Sequence, residues 1–205
     1  MPSAERPERP PRADARRNAA RVLTGARQAV AAHGLDVSYH EIARRAGVGV
    51  GTVYRRYPER GELMEAVLLD LLGELTAGAE RALSRGADWP AFTRFFTDLA
   101  LRTGGNAGLS ASLDDRGGPR VAAARRQLLE LLRRLTERAQ RVGTLRPDLC
   151  WYDLPFLAKA ATSGAGVLDL SADPRRAERC IRVVLDGMRP PAAGPGQEGP
   201  AAGPP

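Results

Sequence analysis

Apolar residues recur at helical spacing along most of the chain. Between residues 16 and 33 they fall at every third or fourth position, and Gly34 follows, where a helix can end. From Gly61 to about residue 84, leucines, valines and alanines continue the same spacing. No segment shows the alternation of apolar and polar positions that predicts a strand. The pattern therefore predicts an all-α protein of about nine helices.

The second half of the chain is predicted to consist of helical segments separated by loops rich in glycine or proline. The expected segments are 89–103, 109–115, 119–141, 151–165 and 174–188. The two ends of the chain differ from this pattern, because residues 1–13 are rich in proline and charge and residues 190–205 contain mainly proline, glycine and alanine. We expect both ends to be disordered.

Residues 38–63 predict two short helices joined by a tight turn. Ser38 and Glu41 have the spacing of a capping box, in which the serine oxygen accepts a backbone N–H and the glutamate side chain reaches back to the cap. Gly47 stands where a left-handed residue can end the first helix, and Pro58 ends the second. This is the layout of a helix-turn-helix motif, whose second helix enters the major groove of DNA.

The stretch EIARRAGVGVGTVYRRYPERGEL resembles the DNA-binding motif of the TetR family of transcriptional regulators. The positions that agree with the family pattern are Ile42, Ala43, Ala46, Gly47, Val48, Gly51, Thr52, Val53, Tyr54 and Leu63. Two positions depart from it, because Tyr57 replaces the usual phenylalanine and Arg60 the usual lysine. Both replacements keep the aromatic ring or the positive charge. The rest of the chain resembles the family only in length and helical character.

The resemblance implies two domains between the tails. Residues 14–60 would form a three-helix, helix-turn-helix DNA-binding domain, and residues 61–189 a helical domain for effector binding and dimerisation. Because a single helix-turn-helix contacts few phosphates, a homodimer on a palindromic DNA operator is expected. The implied function is that of a sequence-specific transcriptional regulator, a repressor that a small-molecule effector releases from DNA.

Resemblance and expected exposure together assign the DNA contacts. Base edges are expected to meet His40, Val50, Gly51 and Arg55, and phosphates to meet Thr52, Tyr54, Arg56 and Arg60. The alternative for Thr52 and Tyr54 is capping and core packing, and for His40 it is simple surface exposure. The distribution of charge favours an anionic partner at this end of the chain. Residues 1–60 contain 12 arginines and 6 acidic residues, whereas residues 61–205 contribute only +1 to the total net charge of +7.

Apolar residues of the second half are candidates for lining an effector cavity. They are Phe92, Phe95, Phe96, Leu99, Leu113, Leu128, Trp151 and Phe156. The alternative is that these side chains only form the core. No charged group in the sequence marks the polarity of the ligand.

The sequence gives little indication of catalysis, metal binding or membrane association. It shows no catalytic Ser/His/Asp or Cys/His arrangement, so we do not expect an enzyme. Cys150 and Cys180 lie far apart and away from both histidines, so no metal, cofactor or disulfide framework is predicted. No apolar run approaches the roughly 20 residues that span a bilayer, and we expect a soluble cytoplasmic protein without a membrane partner.

Two alternative functions remain open at this point. One is a helical small-molecule-binding protein or enzyme that keeps a vestigial DNA-binding motif. The other is an architectural DNA-binding protein without an effector, which would bind in a salt-dependent manner regardless of sequence.

Overall fold

The computed structural model describes residues 11–34, 36–104, 118–162 and 174–191, and within these ranges it contains eight α-helices and no strand. The helices are α1 (Pro11–His33), α2 (Tyr39–Ala46), α3 (Val50–Arg56), α4 (Arg60–Ser84), α5 (Trp89–Gly104), α6 (Pro119–Arg141), α7 (Asp153–Thr162) and α8 (Pro174–Met188). This confirms the all-α fold class. The expected segment 109–115 lies outside the described residues, as do residues 1–10 and 192–205 of the two tails.

Helix α1 is longer than the apolar spacing predicted. It begins at Pro11 instead of residue 16, so residues 11–13 of the segment expected to be disordered are helical. Proline is compatible with this position because the first turn of a helix does not use its backbone N–H groups. The end of α1 lies where predicted: Gly34 has a φ of +77°, and its N–H donates to the Val30 carbonyl at 2.9 Å.

Helices α1, α2 and α3 pack around a small apolar core. Val22 and Ala26 of α1, Ile42 of α2 and Val53 of α3 are completely buried in it. Val37, in the loop before α2, is also buried. Because α3 spans only 7 residues, these contacts must supply most of its stability.

Helix α4 connects this small core to the rest of the protein. It runs for 25 residues, contacts α1, and packs along α5 and α6 through a stripe of buried leucines. Helix α7 then packs on α5, and α8 on α7. Within the described ranges, none of these helices is long and apolar enough to cross a membrane.

Ion pairs also join α1, α4 and α5. The Arg27 guanidinium on α1 donates to Asp70 and to Glu74 of α4, each at 2.8 Å. Glu74 pairs in addition with Arg102 of α5. The hydrogen bond from Arg27 is the largest cause of the lowered pKa of Glu74. One carboxylate therefore contacts cations from the helices on both sides of it.

A glycine sets the distance between α1 and α2. A Cβ added to Gly25 would lie 2.7 Å from the backbone nitrogen of Ala46 and 2.8 Å from its Cβ. Both contacts are shorter than real Cβ atoms make, and a backbone atom cannot rotate away. The two helices therefore approach more closely than any residue with a side chain at position 25 would permit.

We expect Gly25→Ala to destabilise the protein, although alanine is usually favoured over glycine within a helix by roughly 1 kcal/mol. Here the overlap with Ala46 should reverse the sign, since overpacking a tight contact costs about 1–3 kcal/mol. Gly73→Ala is the matched control, because Gly73 lies exposed in α4 with nothing within 4 Å of an added Cβ. Denaturant unfolding would measure both changes. An equal gain in stability at the two positions would contradict the close approach.

Candidate nucleic-acid interface

Helix α2 begins at the predicted cap, but only half of the predicted capping box forms. Ser38 has extended backbone angles, and its side-chain oxygen accepts the Glu41 N–H at 3.2 Å. The Glu41 carboxylate was expected to reach back to the cap. It accepts instead from Arg44 Nε at 2.7 Å and from Arg45 Nε at 2.6 Å. Two arginines within one turn are stronger partners for a carboxylate than a neutral backbone N–H.

The Glu41 carboxylate is the centre of a cluster that joins α2 to the end of α1. Hydrogen bonds from Arg44 and then Arg45 lower the pKa of Glu41 to about 2. His33 of α1 lies 3.5 Å from the same carboxylate, and Arg45 also donates to the carbonyl of Gln28 at 3.3 Å. Through Arg45 and His33 the cluster thus joins α2 to α1.

The turn between α2 and α3 is fixed by its own backbone and by α1. Gly47 adopts the predicted left-handed conformation, with φ of 62° and ψ of 42°. The Val48 N–H donates to the Ala43 carbonyl at 3.1 Å, which closes the end of α2. Arg21 of α1 donates to the Gly47 carbonyl at 2.8 Å. The direction in which α3 leaves the turn therefore depends on α1 as well.

Helix α3 exposes one face and buries the other. Val53 and Tyr57, four residues apart, are buried, and Val50 is half-buried against the same core. Thr52 is also half-buried. The remaining predicted contacts on α2 and α3 are exposed, namely His40, Gly51, Tyr54, Arg55 and Arg56. The exposed surface of α3 is thus polar and cationic.

Tyr54 packs on the core of the helix-turn-helix and is also exposed. Its ring lies against Tyr39 with 4.6 Å between centroids, yet the residue remains 52% exposed. Tyr39 is itself buried, and its hydroxyl donates to the Tyr57 carbonyl at 2.9 Å. Burial raises the pKa of Tyr39. Packing on an immobilised neighbour orients Tyr54 while it stays accessible from outside.

Arg60 has a structural partner that the sequence did not indicate. Its Nη1 donates to the Val37 carbonyl at 2.9 Å, so the first residue of α4 holds the loop that precedes α2. If Arg60 also contacted a phosphate, its guanidinium would bind the phosphate and the Val37 carbonyl at the same time.

An open groove of about 340 Å³ lies between α1 and α3. Asn18 of α1 lines it together with Thr52, Arg55 and Arg56 of α3. Ala19 and Val22 of α1 complete its lining. The two arginines are the groups of this groove that suit a phosphate backbone. Asn18 was missed because the sequence offers no signal for it: it lies inside a regular helical pattern on a different element.

A second concave site, the leucine cavity, lies among α4, α5, α6 and α7, and its volume is about 220 Å³. Its apolar wall consists of Leu72, Leu75, Leu99, Leu128, Leu129 and Leu132, completed by Pro155 and Phe156. The polar residues of its lining, within the described ranges, are Thr103, Arg125 and Lys159. The structure thus brings charged groups to an apolar site for which the sequence indicated none.

The structure separates the predicted effector residues into two groups. Leu99, Leu128 and Phe156 line the leucine cavity. Phe92, Phe95 and Phe96 are buried in the core and do not line it, and Trp151 packs half-buried against that core. Leu113 lies outside the described residues. Periodicity alone gave core and cavity residues the same pattern, because both face inward from a helix.

Known proteins resemble this chain over most of its length. Residues 22–67 match the family described as "Bacterial regulatory proteins, tetR family", and residues 89–190 match "Transcriptional regulator SbtR-like, C-terminal domain". The structure of a TetR transcription regulatory protein from Mycobacterium vanbaalenii shares 36% identity over 88% of this chain and 99% of that chain, with a TM-score of 0.62. A TetR transcriptional regulator from Streptomyces coelicolor shares 27% identity over 84% and 99%, with a TM-score of 0.62.

We expect Glu41→Gln to weaken the protein in a manner that depends on pH. Because the folded-state pKa of Glu41 is lowered from 4.5 to about 2, its stabilising contribution is complete above about pH 4.5 and disappears as the pH falls through about 2. The variant should therefore be less stable than the wild type at neutral pH and nearly equal to it at about pH 2. Denaturant unfolding at a series of pH values would measure this.

The control for Glu41→Gln is Glu80→Gln, which removes an exposed carboxylate from α4. A stability difference for Glu41→Gln that stays constant from neutral pH to about pH 2 would contradict the role of the arginine pairs.

Proposed function

Because the chain belongs to the TetR family of bacterial regulatory proteins, we propose that this DNA-binding transcriptional regulator is a repressor that a small effector releases from its operator. The observation that carries this proposal is the exposed cationic face of α3, held by α1 and α2 in a helix-turn-helix. A bacterial DNA-binding regulator would act in the cytoplasm.

The contacts proposed for DNA divide into bases and phosphates. Arg55 is the strongest candidate for a base contact, because a guanidinium can bind guanine O6 and N7 together. His40 and Gly51 are also exposed, whereas Val50 is half-buried and offers less surface. Phosphate contacts are proposed for Thr52, Tyr54, Arg56 and Arg60; Thr52 and Arg56 support this by lining the groove between α1 and α3.

A homodimer is proposed from the surface of the last two helices. Tyr152 and Phe156 near the start of α7 are 51% and 73% exposed, and Val183 of α8 is 70% exposed. Large apolar side chains on adjacent helices suit a symmetric interface in which the same two helices of each protomer meet. Such a dimer would place two α3 helices on half-sites about 34–36 Å apart or a multiple of that distance.

The proposed switch is a shift between two conformations. The effector favours a conformation in which the two α3 helices are wrongly spaced, and the operator favours the other, so that each ligand weakens the other to the same extent. The ion pairs from Arg27 to Asp70 and Glu74, and from Glu74 to Arg102, support this coupling because they connect α1 to α4 and α5. A movement of α5 would thereby act on the helix against which α2 is packed.

Selection of duplexes from a random pool by the purified protein tests the proposed function. At near-physiological salt we expect a palindromic sequence to be recovered, with the half-site spacing of a dimer. Recovery of no sequence, with binding that disappears as salt is raised, would instead indicate an architectural DNA-binding protein.

Two substitutions in α3 separate base from phosphate contacts. Arg55→Ala should relax the preference at one base position of each half-site and cost about 1–3 kcal/mol of binding free energy. Tyr54→Phe keeps the ring on Tyr39 and should weaken binding to all duplexes by a similar factor, because only a phosphate hydrogen bond is lost. Affinities for the selected operator and its single-base variants would be measured. A uniform loss for Arg55→Ala would reassign this residue to the phosphates.

Arg27→Met should lower operator affinity a few-fold, by about 1 kcal/mol, without changing the preferred sequence. The substitution removes the ion pairs between α1 and α4 but touches none of the proposed base contacts. Arg133→Met is the matched control, since Arg133 pairs with Glu130 and Glu137 of its own helix α6. Operator affinity and amide hydrogen exchange along α1 would be measured. Equal effects of the two substitutions would show that the link between helices does not matter.

A further inference from the structure

A third concave site, the arginine pocket, lies where α4 ends and α5 begins. Arg81 and Arg85 of α4 and Arg94 of α5 line it, and all three residues are exposed. Arg81 and Arg85 are four residues apart and therefore project from one face of α4. Within the described part of the chain, the three guanidinium groups take part in no hydrogen bond or ion pair. Three positive charges from two helices thus border one small space.

The floor of the arginine pocket is apolar. Ala82 of α4 and Ala91 and Phe95 of α5 line it, and each is at most 8% exposed. Charges above an apolar wall are screened by fewer water molecules, so their field is stronger than on a flat wet surface. The pocket should therefore attract an anion more strongly than three separate surface arginines would.

Gly78 leaves the room for a ligand. A Cβ added to Gly78 would lie 3.4 Å from Cδ2 of Phe95 and 3.8 Å from Nη2 of Arg81, so the Arg81 guanidinium reaches over this position. The volume of the pocket is about 80 Å³. One water takes up about 30 Å³ in the liquid, and a cavity that holds benzene measures about 150 Å³. A single tetrahedral oxyanion fits the pocket, whereas an aromatic ring does not.

The backbone between the two helices is held in place. Gly86 and Ala87 both have positive φ, of 81° and 58°, and the Ala87 N–H donates to the Ala82 carbonyl at 2.9 Å. A residue with a side chain keeps such a φ only where its surroundings hold it, and Ala87 is completely buried. Asp88 then accepts the Ala91 N–H at 2.8 Å. A ligand would therefore find the two helix ends already in position.

One carboxylate also lines the pocket. Asp98 is half-buried on α5, one turn after Arg94. Three arginines and one aspartate give the described lining a charge of +2. A dianion balances this charge, whereas a carboxylate balances only half of it. The planar fork of arginine also binds pairs of phosphate oxygens. Charge and geometry thus both favour phosphate.

The arginine pocket is separate from the two other sites. Among the described residues, none lines both this pocket and the leucine cavity. Arg60 begins α4, and Arg81 lies roughly 30 Å further along this helix at about 1.5 Å per residue. The DNA phosphates proposed to contact α3 and Arg60 therefore cannot also occupy the pocket.

We propose that the arginine pocket binds a phosphate group with two negative charges, either free phosphate or the phosphate of a small monoester. The group lies on the apolar floor, and its oxygens accept from Arg81, Arg85 and Arg94. The organic part of a monoester extends into solvent, because the pocket holds little more than the phosphate itself. This inference goes beyond the proposed function and does not depend on it.

Titration of the full-length protein with small anions tests the class of ligand. Inorganic phosphate, methyl phosphate and acetate would be compared by calorimetry at about pH 8, where the phosphates are largely dianions, and at constant ionic strength. We expect at least one phosphate to bind about tenfold or more tightly than acetate. Binding of both phosphates indicates a site open to monoesters, and binding of inorganic phosphate alone indicates a site for the free ion. Equal affinities for phosphate and acetate, or no phosphate binding at millimolar concentration, would overturn the proposal.

Substitutions locate the site. Arg81→Gln, Arg85→Gln and Arg94→Gln should each lower phosphate affinity by about threefold to tenfold, because each removes a charged donor. Arg134→Gln, on an exposed part of α6 outside the lining, is the control and should leave this affinity unchanged. Thermal unfolding without ligand checks that all four variants are folded. Equal losses in the control and the pocket variants would place the phosphate elsewhere on the protein and overturn the assignment.

Asp98→Asn tests the site in the opposite direction. The substitution keeps the shape of the side chain and removes its negative charge, so phosphate affinity should rise by about threefold or more. A purely structural role of these residues would not produce a gain. Glu80→Gln removes an exposed carboxylate of α4 that lies outside the lining, and it should have no such effect. An unchanged or lower phosphate affinity of Asp98→Asn would contradict the proposal.

A nucleic acid is the competing source of phosphate. Binding of a duplex of unrelated sequence should be the same for the wild type and Arg81→Gln, because a phosphodiester carries one negative charge and its duplex does not fit the pocket. If Arg81→Gln weakened binding of this duplex as much as binding of methyl phosphate, the pocket would be part of a nucleic-acid surface and the proposal would be wrong.

Discussion

A recognition helix of 7 residues cannot hold its own orientation, and the rest of this structure depends on how that helix is supported. The support comes from α1. Gly25 lets α1 approach the backbone of Ala46, and Arg21 binds the carbonyl of Gly47 in the turn. With Val53 buried on the opposite side, α3 is held from within while its cationic face stays exposed. DNA recognition is therefore a property of three helices, even though only one carries most of the proposed contacts.

The same helix α1 connects this support to the larger part of the protein. Surface ion pairs usually contribute little to stability, and some of those here, such as the pairs of Arg133 with Glu130 and Glu137, lie within a single helix. The pairs of Arg27 with Asp70 and Glu74 differ because they link separate helices, and Glu74 extends the link to Arg102 of α5. These ion pairs matter more for the relative position of α1, α4 and α5 than for the free energy of unfolding. A rigid α4 with charged links on one side can carry a small displacement from one end of the protein to the other.

The leucine cavity lies where such a displacement could begin. Residues of α4, α5, α6 and α7 line it, and Thr103, one of these residues, directly follows Arg102. Phe156 extends from the cavity to the exposed surface of α7. An effector in this position would contact elements that lead to α1 and a side chain of the proposed dimer surface. Both routes would alter the spacing of the two recognition helices.

The sequence by itself determined the features that depend on neighbouring residues. The helical segments, the left-handed Gly34 and Gly47, the Ser38 cap and the burial of Val53 all follow from local spacing and backbone geometry. Tertiary structure decided the features that need a partner from elsewhere in the chain. In the folded protein, Arg60 donates to the Val37 carbonyl. Phe92, Phe95 and Phe96 lie in the core instead of lining the leucine cavity, and Lys159 and Arg125 line that cavity.

The Glu41 side chain shows that the sequence pattern does not determine hydrogen-bond partners even within a single helix. The spacing of Glu41 from Ser38 matches a capping box, and its spacing from Arg44 and Arg45 matches ion pairs within a helix; the capping box was the prediction from the sequence. The arginines prevailed because a charged donor binds a carboxylate more strongly than a backbone N–H does. Periodicity specifies which way a side chain faces, whereas the partner it meets there depends on how distant or competing groups are packed around it.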